Sequence, residues 1–196
     1  PQPPCSPSSL TGEIDEFNQS DGSLVKQFLS KSTGVYVPFF LVVDGTGNVW
    51  FTDSINNAIG ELVPGNTPTW TEWKTGFGSG GVPNDLALDG AGNIWFTERG
   101  VNGIGYFNTT GKTFVETKVV PTTTRPYGIV YDSVNNVMWF ADQGTPNIGS
   151  FTPTANGVLG VGAVTMLPVL KHFYFPNMIT LDKQQNVWFS EGFAGY

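Results

Sequence analysis

Four acidic side chains recur at one position of a repeated segment, and their type and spacing make them the first candidates for chemistry. Each follows a Trp-Phe pair and one small residue; they are Asp53, Glu98, Asp142 and Glu191. If the segment is a β-strand, the four acids lie at the same end of equivalent strands, beside the start of an antiparallel neighbour. A ring of carboxylates would attract a hard cation, so we consider Mg²⁺ or Ca²⁺ as candidate ions. The alternative is that each acid only accepts N–H bonds from a nearby loop.

A second set of acids comes earlier in the same segments. Each precedes an asparagine by four residues, in the pairs Asp44 and Asn48, Asp89 and Asn93, Asp132 and Asn136, Asp182 and Asn186. The spacing matches part of a calcium loop, but the bidentate acid that completes such a loop is missing. Since Asp, Asn and Gly are the residues that tight turns require, we interpret these pairs as hairpin turns.

The single histidine lies outside the repeated segments, and the sequence gives it no clustered catalytic partner. We interpret His172 as a loop histidine. Its aromatic surroundings, in the longest segment between repeats, are a candidate contact surface for a ligand or another subunit: His172, Phe173, Tyr174 and Phe175. No phosphate-binding glycine loop, dinucleotide fingerprint or nucleophile elbow occurs, so nucleotide chemistry and the common hydrolases have no local signature.

Four aligned segments, each running from a proline to one of the first set of acids, must position these residues. They read Pro38-FFLVVDGTGNVWFTD, Pro83-NDLALDGAGNIWFTE, Pro126-YGIVYDSVNNVMWFAD and Pro176-NMITLDKQQNVWFSE. The Trp-Phe pairs begin at residues 50, 95, 139 and 188, which gives spacings of 45, 44 and 49 residues. Apolar and aromatic runs bounded by turn residues, at a period in the mid-forties, predict an all-β protein: a β-propeller with four-stranded antiparallel blades.

Within a blade, the strand after the proline is predicted to be innermost and the Trp-Phe strand second. Third strands are predicted at 58–62, 103–107 and 147–151, and fourth strands at 69–73, 114–117 and, weakly, 161–167. Successive side chains of a strand point to opposite faces, so one ring of each Trp-Phe pair is expected to pack against each neighbouring blade.

The domain organisation predicted is a Pro-rich extended lead at 1–10 followed by propeller repeats at 11–196. We divide the repeats into a half blade at 11–30, blades at about 36–77, 83–120 and 126–170, and a half blade at 176–196. Either the two halves join and close a four-bladed ring, which leaves no free edge, or the chain is part of a larger propeller of six to seven blades. A closed ring of four needs an unusually sharp rotation between blades, which favours the larger propeller.

The composition of the chain limits the kinds of partner and the cellular locations that we expect. The 196 residues carry a net charge of −7 with only 13% charged residues, so we expect no nucleic-acid partner. No run of 18 apolar residues occurs, so we expect no membrane span and no uncleaved signal peptide in this chain. N-glycosylation patterns at Asn18 and Asn108 modestly favour an exported protein, located outside the cell or in the cell envelope.

At its Pro-x-x-Ile/Leu, Asp-x-x-x-Asn, Trp-Phe-Thr-Glu and Ile-Gly units, residues 11–196 resemble the virginiamycin B lyase (streptogramin lyase) family of β-propellers. The resemblance implies a magnesium-dependent, non-hydrolytic opening of a macrocyclic ester, with His and Glu at one mouth of the channel. The family commonly carries histidine directly after the blade proline. The matching positions here, our candidate channel-mouth residues, are Phe39, Asn84, Tyr127 and Asn177.

None of these four side chains can act as a base near neutral pH, whereas an imidazole can. The sequence therefore leaves catalysis open and favours an exported, non-catalytic binding or assembly module whose partner is a protein or a glycan. The alternative is a streptogramin-lyase-like C–O lyase that uses the ring of acids, with Glu98 and Glu191 as the expected metal ligands.

Overall fold

The computed structural model describes residues 12–30, 37–76, 80–118, 124–160, 162–169 and 175–192. These residues form sixteen β-strands arranged as three four-stranded and two two-stranded antiparallel sheets. Across the described part of the chain, no helix has the length and apolar character needed to cross a membrane. The predicted all-β class is confirmed.

Each four-stranded sheet is one blade, with its strands in sequence order from one edge to the other. The first contains β3 (Leu41–Val43), β4 (Val49–Asp53), β5 (Ala58–Val63) and β6 (Thr69–Lys74). The second contains β7 (Pro83–Leu88), β8 (Ile94–Glu98), β9 (Gly103–Asn108) and β10 (Thr113–Lys118). The third contains β11 (Pro126–Asp132), β12 (Val137–Asp142), β13 (Asn147–Phe151) and β14 (Thr165–Pro168).

Two half blades flank the complete ones. The leading half blade is β1 (Glu13–Phe17) and β2 (Leu24–Leu29); the last is β15 (Phe175–Leu181) and β16 (Val187–Gly192). They are separate sheets, and no ladder joins β16 to β1 within the described ranges. The described residues thus show the two half blades as separate sheets, and both alternatives, the closed four-bladed ring and the larger propeller, stay predictions.

The strand after each proline lies innermost, and these strands contact one another in chain order: β3 with β7, β7 with β11, and β11 with β15. β11 and β15 approach closely at Gly128, where a Cβ would come within 2.6 Å of the backbone oxygen of Asn177. Only glycine fits such a contact between two backbones. The succession of equivalent inner strands is the arrangement of a β-propeller, and it confirms the predicted fold.

Neighbouring blades pack through the Trp-Phe pairs, whose two rings point to opposite faces as predicted. Phe51 packs with Leu62 and with Phe28 of the leading half blade. Trp50 instead packs with Phe96 of the second blade. A third core of the same kind lies between the second and third blades. The fold is therefore held together by apolar layers between sheets, as stacked sheets require.

In each complete blade the phenylalanine ring covers a glycine of the adjacent third strand. The pairs are Phe51 with Gly60, Phe96 with Gly105, and Phe140 with Gly149. A Cβ on any of these glycines would lie only 2.0–2.1 Å from the ring. The ring thus occupies the place of the absent side chain, which explains the Ile-Gly unit of the repeats.

The hairpins between first and second strands confirm the turn interpretation. Asp44 accepts a bond from the Asn48 N–H at 3.0 Å, and its second oxygen accepts one from the indole N–H of Trp50 at 2.9 Å. The chain reverses through Gly47, whose φ of 88° glycine adopts at low cost. The same Asp-to-indole bond joins Asp89 to Trp95 and Asp182 to Trp188.

Two predictions about the third blade are corrected. Asp132 accepts bonds from Asn135, at 3.0 Å for the backbone N–H and 2.7 Å for the side chain, and not from Asn136, because this hairpin holds one residue more than the others. The fourth strand, predicted at 161–167, begins only at Thr165. A turn precedes it, in which the N–H of Ala163 donates to the backbone oxygen of Gly160 at 3.0 Å.

Lys112 of the second blade contacts three side chains of the first blade. The Nζ of Lys112 lies 4.7 Å from the ring centre of Trp50 and 4.5 Å from that of Trp73. It also lies 3.6 Å from Oε2 of Glu61. An ammonium group over two indole faces gains cation–π energy while it keeps a carboxylate partner, so the contact ties the two blades together.

Candidate functional site

The acids of the first set lie where the sequence placed them, opposite the start of the inner strand. Glu98 pairs with Pro83, Asp142 with Pro126, and Glu191 with Pro176 in the antiparallel ladders. This end of the blades therefore brings the acids close to the positions that follow each proline, which makes it the candidate site.

Two of the four acids are occupied in closing loops. Asp53 accepts the N–H of Val37 at 2.6 Å and that of Asn56 at 2.8 Å. Asp142 accepts the N–H of Arg125 at 2.6 Å and that of Gly144 at 2.8 Å, and its other oxygen accepts the hydroxyl of Thr145. Both carboxylates are fully buried. They behave as loop caps, the alternative that the sequence left open.

Glu98 is one methylene longer and has different surroundings. It is fully buried, and a Cβ on Gly81 would lie within 2.5 Å of its Oε1 and 2.8 Å of Oδ1 of Asn57. Burial, and secondly the charge of Glu116, raise the pKa of Glu98 to about 8. The carboxyl is therefore protonated at neutral pH, a form that binds a cation poorly.

The outer strands add two acids that sequence analysis missed. Glu72 lies opposite Gly60 and Glu116 opposite Gly105, so the two occupy the same place in successive blades. The side chain of Glu72 is 8% exposed. Burial raises the pKa of Glu72 to about 8, and two further effects of Asp53, a hydrogen bond and its negative charge, act in the same direction. The missed signal was an acid recurring at one position of the fourth strand.

The described acids do not fit a magnesium or calcium centre. Across the described residues, no three His, Cys, Asp or Glu side chains come together as a metal-ligand set. Asp53 and Asp142 accept hydrogen bonds from backbone N–H groups. The pKa of Glu98 is raised to about 8, and Glu191 is exposed on the last half blade. The role of the four acids as metal ligands gains no support from this geometry and stays a prediction.

Two of the four channel-mouth positions form an aromatic surface. Phe39 is 59% exposed and meets Phe40 edge-on, with ring centres 4.8 Å apart. Phe40 lies 6.4 Å from Tyr127, again edge-on, and the guanidinium of Arg99 lies 5.9 Å from the centre of the Tyr127 ring. Phe40 and Arg99 were missed, although each directly follows a predicted site residue. We call these four residues the mouth cluster.

The two amides at the mouth bridge blades instead of facing solvent. Asn84 is buried and donates to the backbone oxygen of Tyr127 at 3.2 Å. Its own backbone oxygen accepts the hydroxyl of Thr52 at 2.7 Å. The side-chain oxygen of Asn177 accepts a bond from the Gln143 amide. Asn84 thus joins two adjacent inner strands, and Asn177 joins the last inner strand to the loop after β12.

Asp85, which sequence analysis overlooked, also joins inner strands. Its Oδ2 accepts the N–H of Ile129 at 3.0 Å and its Oδ1 that of Leu86 at 2.9 Å. Burial is the main influence and raises its pKa to about 6, against those two hydrogen bonds. Asp85 is therefore a structural link between the inner strands of the second and third blades.

The remaining candidates are placed as follows. Of the predicted contact surface, residues 172–174 lie outside the described residues, and Phe175 begins β15, half-buried. Asn18 is exposed in the β1–β2 turn and accepts the N–H of Ser20 at 2.9 Å. Asn108 ends β9 and accepts the N–H of Thr110 at 3.0 Å. Glycosylation of the two asparagines stays a prediction.

Comparison with solved structures agrees with the propeller class. A catalytically inactive virginiamycin B lyase from Staphylococcus aureus, solved with quinupristin, is 23% identical with a TM-score of 0.75, over 92% of this chain and 56% of that one. A streptogramin B lyase structure is 25% identical with a TM-score of 0.71, over 91% and 55%. A chain of a nidogen/laminin complex is 21% identical with a TM-score of 0.67, over 92% and 67%.

The model of the virginiamycin B lyase family matches residues 13–195, and the chain belongs to that family. The resemblance inferred from the sequence is confirmed. Comparison with curated protein sequences gives no match. The chain spans about half the length of the lyase structures it resembles, 56% and 55%.

Proposed function

We propose that this chain is a non-catalytic binding or assembly module of an exported protein, and that it meets a protein or glycan partner at the mouth cluster. One observation carries the proposal: the acids of the complete blades, Asp53, Glu98 and Asp142, are fully buried, and two of them accept backbone N–H bonds, whereas Phe39 is 59% exposed beside them. Exposed aromatic rings flanked by an arginine are typical of recognition surfaces. The N-glycosylation patterns support export.

The mouth cluster is tested by site-specific photocrosslinking. A crosslinking amino acid at Phe39 is expected to give a discrete adduct in native envelope or culture material. The same amino acid at Val134, which is 72% exposed in the hairpin at the other end of an inner strand, serves as the control. Equal labelling from both positions, or recovery of the lone chain from both, would contradict the proposal.

Family membership favours a second candidate, a metal-dependent lyase that opens a cyclic ester. Because the described acids do not fit a metal centre, that activity would need ligands or a base from other residues. The test is incubation with quinupristin and Mg²⁺, followed by mass spectrometry of the ring opening. We expect no opening above a protein-free control. Opening that disappears in Glu98→Gln would replace the first proposal with the second.

A further inference from the structure

Three aromatic rings and a carboxylate surround the ammonium group of Lys112 at the interface between the first and second blades. Its Nζ lies 4.5 Å from the ring centre of Trp73, 4.7 Å from that of Trp50 and 5.9 Å from that of Phe107. Oε2 of Glu61 lies 3.6 Å from the same nitrogen. Aromatic rings around a cation are the arrangement by which proteins recognise quaternary ammonium ligands. We call the four surrounding side chains the ammonium cage: Trp50, Trp73, Phe107 and Glu61.

The members of the cage are held by contacts with one another and with the first hairpin. The ring of Trp73 lies 5.9 Å from that of Trp50 and 5.2 Å from that of Phe107, centre to centre. Trp50 is 2% and Phe107 0% exposed. Glu61 accepts the side-chain amide of Asn48 at 3.2 Å. None of these contacts uses Lys112, so the cage keeps its shape when the lysine side chain leaves.

The next interface shows that the fold does not require a carboxylate at this place. The second blade has Tyr106 at the position of Glu61, since Tyr106 pairs with Trp95 as Glu61 pairs with Trp50. The hydroxyl of Tyr106 donates to the backbone oxygen of Ala155 at 3.1 Å, and Trp95 is fully buried. Two neighbouring blades thus pack closely with an uncharged ring there. The cage is therefore a feature of the first interface and not a general requirement of blade packing.

The side chain of Lys112 can leave the cage for water. It is 37% exposed and belongs to the turn between β9 and β10. A primary ammonium group is strongly hydrated, so contact with the rings costs it part of its water shell. A trimethylammonium group has no N–H to hydrate and presents its methyl groups to the rings. The cage therefore favours a trimethylammonium group over a free primary amine.

We propose that the ammonium cage is a binding site for the trimethylammonium group of a small ligand such as choline, and that Lys112 is its displaceable internal occupant. The rings are buried, so the opening is the space that the lysine side chain fills. This space suits one cationic head group better than a protein surface. Lys112 lies in the turn after β9, whereas Glu98 pairs with Gly103 at the start of that strand. The cage is thus at the opposite end of the second blade from the mouth cluster, and the two proposals can fail independently.

Calorimetric titration with choline tests the proposal. Lys112→Gly empties the cage and keeps the turn, because Lys112 has a φ of 53°, which glycine adopts at low cost. If the lysine fills the cage for about nine-tenths of the time, its removal tightens choline binding about tenfold, and we expect this gain or a larger one. The uncharged isostere 3,3-dimethylbutanol should not bind. Equal choline affinity in Lys112→Gly and wild type, no binding by either, or equal binding of the isostere overturns the proposal.

Further variants separate the cage from a general change in folding. Lys112→Met keeps a long uncharged side chain over the rings and should bind choline more weakly than Lys112→Gly. Glu61→Gln, made in the Lys112→Gly chain, removes the opposite charge and should weaken binding with an unchanged circular dichroism spectrum. Lys118→Ala, at the exposed end of β10, is the matched control and should bind as wild type does. Unchanged affinity in the Glu61→Gln chain, or tighter binding in Lys118→Ala, overturns the proposal.

A peptide that carries trimethyllysine distinguishes a small ligand from a protein partner. We expect Lys112→Gly to bind choline at least as tightly as this peptide, and tighter binding of the peptide would make the small-ligand assignment wrong. Crosslinking from Phe39 should be the same in every one of these variants, so a negative result at the cage leaves the proposed function untouched.

Discussion

The second blade and the last half blade carry nearly the same sequence segment, yet the equivalent tryptophan is buried in one and exposed in the other. The indole N–H of Trp95 donates to Asp89 at 3.1 Å and that of Trp188 to Asp182 at 3.0 Å, so the hairpins are locally alike. Trp95 is nevertheless fully buried, whereas Trp188 is 61% exposed. Local sequence determines the hairpin, and the neighbouring blade determines whether the tryptophan is buried.

The largest expected difference concerns these two tryptophans. Trp95→Ala should lower the free energy of unfolding by about 3–5 kcal/mol, because it leaves a cavity between two blades. Trp188→Ala should cost less than about 1 kcal/mol, because this side chain is 61% exposed in the structure and its removal leaves no cavity.

Denaturant titrations of the two variants and the wild type provide the measurement. Equal losses for the two variants would contradict the comparison, since they would mean that Trp188 is packed as tightly as Trp95.

The glycine under each ring gives the next largest effect. Gly105→Ala puts a Cβ 2.0 Å from the Phe96 ring, and overpacking of this kind costs about 1–3 kcal/mol. Gly45→Ala is the control, because nothing lies within 4 Å of a Cβ there. Thermal unfolding of the two variants checks the prediction. A similar shift in both would show that the loss comes from glycine content and not from the ring contact.

The buried acid of the second blade predicts a pH dependence. Because the pKa of Glu98 is about 8 in the folded protein and about 4.5 unfolded, the folded state binds more protons between these values. Its contribution to stability is thus complete below about pH 4.5 and falls as the pH rises towards 8. Glu98→Gln should flatten this decline and stabilise the protein at pH 8 relative to wild type. Urea unfolding from pH 5 to 9 measures the effect, and an unchanged slope in the variant would refute the assignment.

The smallest effect is expected at the hairpin of the last half blade. The hydrogen bond from the Trp188 indole, followed by that from the Asn186 side chain, lowers the pKa of Asp182 to about 2. The stability that Asp182 contributes is therefore present above the unfolded pKa near 4 and is lost as the pH falls through about 2. Carboxyl NMR of Asp182 in wild type and in Trp188→Phe measures this directly. A pKa that does not rise in Trp188→Phe would contradict the role of the indole bond.

Much of the fold was predictable because the repeats carry their own geometry. The spacing of the Trp-Phe pairs, the Asp-to-Asn turns and the Ile-Gly units each correspond to one repeated contact. The third hairpin and β14 were predicted less well, since one added residue changes the bonding partner of Asp132 and a turn through Gly160 delays the strand. Whether the half blades meet depends on rotation between sheets, which no local motif encodes.

The site was harder to predict because its properties arise between blades. Sequence placed Glu98 opposite Pro83, but its pKa is raised first by burial between blades and second by the charge of Glu116 on an outer strand. The mouth cluster likewise depends on Phe40 and Arg99, whose neighbours belong to other blades. Pairings across a sheet follow from spacing along the chain, whereas burial and charge across an interface do not.

The contact of Lys112 with two tryptophan rings of the first blade has a consequence for proteolysis. A trypsin-like enzyme must draw a lysine side chain into its specificity pocket before it can cut the following bond. Lys112 lies in the turn between β9 and β10, yet its ammonium group is held over the indoles of Trp50 and Trp73. Cleavage after this residue requires its ammonium group to leave the indole faces, so the cleavage rate reports on how often this contact between the first two blades is broken.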